Sequence, residues 1–114
     1  MSSFQIYFYL SPGSKHNPVK DFIDSLDKRT KGKLQFVFEL LQEYGTNLGF
    51  PYTKKIKGTS LWELRIISKR SVRIFYVKYL DESFIILHGF IKKSQQIQTR
   101  EIKLALHRFR EIVN

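Results

Sequence analysis

Leu61-Trp62-Glu63-Leu64-Arg65-Ile66-Ile67 and, after a short turn, Val72-Arg73-Ile74-Phe75-Tyr76-Val77-Lys78-Tyr79 decide the fold. Side chains alternate across a strand, so Trp62, Leu64 and Ile66 share one face and Glu63 and Arg65 the other. Residues 68–71 form the turn. Asp81-Glu82-Ser83 reverses the chain again into Phe84-Ile85-Ile86-Leu87-His88-Gly89-Phe90, which completes a three-stranded meander.

Working outward, the period changes from two to that of a helix. Val19, Phe22, Ile23 and Leu26 follow Asn17-Pro18, a cap and a first-turn proline, and predict a short amphipathic helix. A second helix is predicted over Lys28–Tyr44, with Leu34, Val37, Phe38, Leu41 and Tyr44 on one face and Gly45 as its stop. The very short link between the two makes an antiparallel hairpin. Upstream, Phe4-Gln5-Ile6-Tyr7-Phe8-Tyr9-Leu10 reads as a strand, and residues 45–53 read as a loop. A last helix over Thr99–Val113 aligns Ile102, Ala105, Leu106, Phe109 and Ile112, and turns Lys103, His107, Arg108 and Arg110 to solvent. The order β-α-α-β-β-β-α predicts one α+β domain over residues 1–114, with a mostly antiparallel sheet and helices packed on one face. The opposite face is left to hold a site.

Composition narrows the function. The 114 residues are 42% hydrophobic and 15% aromatic, too rich in core formers for a disordered chain. There is no cysteine, which excludes disulfides, thiol catalysis and Cys-based zinc sites. No apolar run is long enough for a membrane span, and the first residues lack the features of a signal peptide, so a cytoplasmic protein without membrane contact is expected. The net charge is +10, and it is unevenly placed. Residues 1–50 hold six Lys/Arg and five Asp/Glu, whereas residues 51–114 hold fourteen and five. A basic surface so concentrated attracts polyanions.

The sequence contains no phosphate-binding loop, dinucleotide fingerprint, zincin helix or serine-hydrolase elbow. His16, His88 and His107 lack ligand spacing, and no carboxylate cluster suits a hard cation. Cations on the meander are what remain. Lys54, Lys55 and Lys57 precede it, Arg65 and Arg73 lie within it, and Lys92-Lys93 follow it. Two arginines on neighbouring strands can clamp a phosphate, because the guanidinium fork matches its oxygens. Register decides whether they converge. A two-residue turn pairs Arg65 with Ile74 and sends Arg73 to the opposite face. An odd loop, Lys69-Arg70-Ser71, pairs Ile67 with Arg73 and sets both arginines beside Glu63; it also gathers Trp62, Leu64, Ile66, Ile74 and Tyr76 on the other face, and is expected for that reason. The plainer reading has both arginines reaching solvent at the sheet edge. His88 and Glu63 are the proton-transfer candidates, against an ordinary hydrogen-bonded role in the sheet. Phe90 and Trp62 could stack on a base or simply fill the core.

The segments Leu61-Trp62-Glu63-Leu64-Arg65-Ile66, Ser71-Val72-Arg73-Ile74-Phe75-Tyr76 and Leu87-His88-Gly89-Phe90-Ile91-Lys92-Lys93-Ser94-Gln95 resemble the RelE/ParE toxin superfamily. The resemblance covers essentially the whole chain and is greatest to the HigB-like, phage-associated branch. It implies a RelE-like domain that is the toxin of a type II toxin–antitoxin pair, neutralised by a small antitoxin, often of helix-turn-helix type. It further implies a ribosome-dependent endoribonuclease, an mRNA interferase that cuts mRNA in the ribosomal A site without metal or cofactor and so inhibits translation. The implied partners are the antitoxin, ribosomal RNA and mRNA. By this resemblance Arg73 holds the scissile phosphate, and Lys92 and Lys93 stabilise its charge. Arg65 occupies a further basic position, and Lys54, Lys55, Lys57 and Arg70 grip the RNA backbone. The tyrosine some relatives carry is missing from Ile97-Gln98-Thr99-Arg100, and Gly89 stands where others are acidic. The general base thus stays open between His88, a lysine and Glu63. Two other readings are a ParE-like toxin that binds DNA gyrase, against which the cation set argues, and a non-catalytic nucleic-acid-binding module.

Overall fold

The computed structural model describes residues 3–113. In chain order the elements are β1 (Gln5–Phe8), α1 (Pro18–Asp24), α2 (Lys28–Tyr44), β2 (Thr53–Lys55), β3 (Trp62–Ile66), β4 (Val72–Lys78), β5 (Ser83–Ile91) and α3 (Thr99–Val113). The helix starts follow their capping chemistry. Asn17 accepts the Lys20 N–H with Pro18 at the first helical position, and Asp27 accepts the Thr30 N–H at 3.1 Å. Gly45 closes α2 at φ 54°, and a Cβ there would overlap the ring of Phe4.

One sheet in the order β1-β5-β4-β3-β2 organises the molecule, antiparallel except for β1 against β5. The meander is as expected, but the segment before it adds a fifth strand, because Thr53–Lys55 pairs along β3 instead of staying a loop. The β3–β4 register places Arg65 opposite Arg73 and Ile66 opposite Val72. That is two residues from the expected pairing of Ile67 with Arg73. A shift of two preserves which side chains share a face, so Glu63, Arg65 and Arg73 do lie together.

The helices do not all pack on one face, and this corrects the sequence reading. α1 and α2 cover the face built from Leu64, Ile66, Val72, Ile74, Tyr76, Phe84 and Ile86. α3 covers the reverse, where Phe75, Val77, Ile85, Leu87 and Phe90 meet Ala105, Leu106 and Phe109. The physical reason is in β4 and β5, which are apolar on both sides; strands that bury both faces read as continuous hydrophobic runs and need cover twice over.

Between β4 and β5 the pairing jumps from Phe75 with His88 to Tyr76 with Ile86, so Leu87 is an extra residue. This bulge turns Leu87 and His88 to the α3 side in succession and aims Gly89 at α1. The carbonyl of Leu87 accepts from Arg108 Nη1 at 2.8 Å. Arg108 was expected on the solvent face of the last helix; instead it lies partly buried, over the ring of Tyr9 at 5.2 Å. A buried carbonyl that the ladder abandons needs a donor, and Arg108 supplies it.

Candidate nucleic-acid interface

The register lays the candidate side chains in rows across the α3 face. Lys54, Glu63, Phe75 and His88 form one row over β2, β3, β4 and β5. Arg65, Arg73 and Phe90 form the next. Beyond them Lys92 continues the ladder, its N–H donating to Ser71 O at 2.7 Å. α3 and its core cover the β5 side of this face, and the charged rows emerge beside it.

Arg73 is the centre. The residue is 8% exposed, and its Nη1 donates to Val72 O at 3.1 Å. Its Nε lies 3.4 Å from Glu63 Oε2, yet neither atom has an aligned hydrogen-bond partner among the described residues. The pair neutralises charge by proximity and leaves the Arg73 Nε donor without an aligned partner. Burial pushes the Arg73 guanidinium down from its usual range; Glu63 opposes this and Arg65 adds to it. The group stays cationic regardless, as guanidinium titrates far above neutrality. Arg65 directly opposite is a like charge, an arrangement that costs a sheet stability and gains only if an anion arrives. Its guanidinium is also 5.9 Å from the ring of Phe50. A recess of about 360 Å³ opens beside Arg73, lined by Ser71, Arg73, Lys92, Lys93, Ser94 and Gln95.

His88 is set differently. Its Nε2 is 2.8 Å from Glu101 Oε1, and its ring stacks on Phe90 with centroids 5.3 Å apart. Burial lowers its pKa, and the hydrogen bond His88 donates to Glu101 works against that. At neutral pH the ring is therefore uncharged. A carboxylate only accepts, so Nε2 carries the hydrogen and Nδ1 keeps a free lone pair. Glu101 was missed in the sequence. The signal was present: it is acidic in the first turn of α3, where the helix dipole favours it, and lies four residues before the buried Ala105.

The remaining predicted residues divide. Lys54 shares the row of Glu63 and Lys93 lines the recess, and both are exposed. Lys55 points to the other face, where its Nζ donates to Thr59 O and sits 5.9 Å from the Trp62 ring. Lys57 is exposed in the turn before β3. Arg70 stands at the exposed tip of the β3–β4 turn, facing the start of α2. There Asp27's carboxyl is held low, chiefly by the Thr30 hydroxyl and least by Arg70. Trp62 is partly buried and Phe90 buried, both against the core. The structure thus brings Arg65, Arg73, His88, Lys92 and Lys93 to one side of the sheet and leaves Lys55 and Arg70 apart from the recess.

Among the described residues no three His, Cys, Asp or Glu come together as a metal site, and no helix is long and apolar enough to cross a membrane. No curated protein matches the chain. A family model does, that of the phage-derived Gp49-like proteins (DUF891), over residues 21–110. The match runs from α1 to the last turns of α3, and the chain belongs to this Gp49-like family, a RelE-like family associated with toxin–antitoxin systems.

Proposed function

We propose that this protein is the toxin of a toxin–antitoxin pair, close to the HigB-like branch, and that it cuts mRNA on the ribosome. The observation that carries the reading is Arg73, a nearly buried arginine that lines a recess together with Lys92 and Lys93. Such a recess suits a phosphodiester, with the fork on its oxygens and ammonium groups around it.

Chemistry follows from what is within reach. The ribose 2′ oxygen bonds to phosphorus and the bond from phosphorus to the 5′ oxygen breaks. The products are a 2′,3′-cyclic phosphate and a 5′-hydroxyl. Arg73 and Arg65 hold the phosphate and stabilise its added charge. The leaving 5′ oxygen takes a proton from Lys92 or Lys93. The candidates to take the 2′ proton are two groups that flank Phe75, Glu63 beside Arg73 and His88 through Nδ1. Positioning, charge and proton transfer suffice for this reaction. The ribosome supplies the ordered mRNA, and the basic half of the chain, Lys54 and Lys57 included, supplies contacts to RNA backbone. An antitoxin with acidic residues complements the same surface, and the cytoplasm is where these partners meet.

The test is primer extension on a reporter mRNA with purified protein, with and without translating ribosomes. Arg73→Lys is the informative variant, because Arg73→Ala strands the buried Glu63 carboxylate and threatens the fold. Cuts that need ribosomes and fall about 100-fold in Arg73→Lys support the reading. An absence of cuts with growth arrest intact in cells moves the target to a protein such as gyrase. Binding of RNA without scission leaves a non-catalytic module.

A further inference from the structure

A second cavity, of about 320 Å³, adjoins the phosphate recess and shares Lys92, Lys93 and Ser94 with it. We propose that this cavity receives the nucleobase next to the scissile phosphate, and that Gln98, with Gln96 beside it, reads that base. The inference rests on the mRNA-cleavage reading above.

The cavity exists because of how the sheet ends. β1 stops with Phe8 opposite Ile86, so β5 has no strand partner on that side from Leu87 onward. The Lys92-to-Ser71 hydrogen bond and the pairing of Phe90 with Arg73 fix the ladder parity. By that parity the peptide groups of Gly89 and Ile91 point away from β4, into the open edge. Phe22 of α1 lies directly over Gly89: a Cβ there would meet Phe22 Cδ2 at 2.6 Å. The floor of the cavity is therefore an aromatic ring pressed on bare backbone.

Its chemistry matches a base. One wall is apolar, from Phe22 and Ile97. The other is amide, from Gln96 and Gln98, both exposed. A glutamine amide offers a donor and an acceptor side by side, the pattern with which a side chain reads a base edge. Glu101 closes the inner end with one carboxylate oxygen already bound to His88. A volume near 320 Å³ lies at the small end of ligand cavities, suited to one nucleoside rather than a peptide side chain with its flanks. Continuity with the recess means that a strand whose phosphate sits on Arg73 presents its neighbouring base here.

The experiment maps 5′ ends of cleaved mRNA from a reporter randomised at the A-site codon, using wild type, Gln98→Ala and Gln98→Glu. The expected result is preference at one nucleotide position weakened about tenfold in Gln98→Ala and re-ranked in Gln98→Glu, which trades a donor for an acceptor. Unchanged site ranking in both variants overturns the inference while wild-type cutting keeps the cleavage reading. No cutting by wild type overturns both. A binding arm is independent of variants: guanosine and adenosine 3′,5′-bisphosphate titrated into wild type should shift the amide signals of Gly89 and Gln98. Shifts confined to Arg73, Lys92 and Lys93 mean that only the phosphates are held, and the base site is wrong.

Discussion

The two faces of one sheet have opposite chemistry. On the α1 and α2 side, Leu64, Ile66, Val72, Ile74 and Ile86 are fully buried, and the cations that reach this face, Lys55 and Lys78, stay exposed at its rim. On the α3 side, the same strands carry Glu63, Arg65, Arg73 and His88 between apolar residues. Residues one step apart on β4, Arg73 and Ile74, thus have different surroundings: both faces bury apolar side chains, but only the α3 face also keeps charges whose burial opposes folding. A sheet this small can hold a dense cationic site only because its reverse is fully committed to the core.

The sharpest way to break that division is to change the neighbours in turn. Ile74→Ala, which empties a fully buried position, should cost about 2–5 kcal/mol of unfolding free energy in a urea titration. Arg73→Lys keeps the charge beside Glu63 but loses the fork. Its cleavage should fall about 100-fold in the ribosome assay while its urea midpoint stays near wild type. If instead Ile74→Ala is nearly silent and Arg73→Lys unfolds, the faces have been assigned the wrong way round.

Gly89 sits where the two regions meet, and its effect should be intermediate. A methyl group there must displace the Phe22 ring, so Gly89→Ala should cost about 1–3 kcal/mol, by the same titration, and alter cleavage through the adjoining cavity. Gly89→Ala that is both neutral in stability and unchanged in cleavage would mean that α1 does not press on this edge.

Much of this division was legible in the sequence. The period-two runs gave β3 and β4, the cap Asn17 and the apolar spacing of Leu34, Val37, Phe38 and Leu41 set the early helices, and an odd loop was enough to put Arg65, Arg73 and Glu63 together. Three features were hidden, each for a physical reason. The side of the sheet that α3 chooses depends on which apolar residues remain uncovered, a property of the assembled sheet and not of the helix pattern. β2 is three residues long and lives by pairing, with little local signal of its own. The bulge at Leu87 shifts parity inside an uninterrupted apolar run, where alternation leaves no trace; with it went the role of Arg108 and the meeting of His88 with Glu101. Motif residues were therefore easier to find than the residues that hold them in place.

The smallest predicted effect concerns that last pair and compares a polar contact on the α3 face with its hydrophobic surroundings. Burial sets His88's pKa below the ordinary histidine value, with the Glu101 hydrogen bond opposing. The unfolded chain then binds more protons than the native one as pH falls past about 6.5, and stability contributed by neutral His88 is present above that range and lost below it. Urea midpoints measured at pH 8 and pH 5.5 should therefore fall further in wild type than in His88→Gln, whose amide can still donate to Glu101 but does not titrate. A wild-type midpoint that rises relative to His88→Gln on acidification would mean that Glu101 outweighs burial and holds an imidazolium. Nδ1 would then be protonated at the working pH, and the proton-accepting role would pass to Glu63.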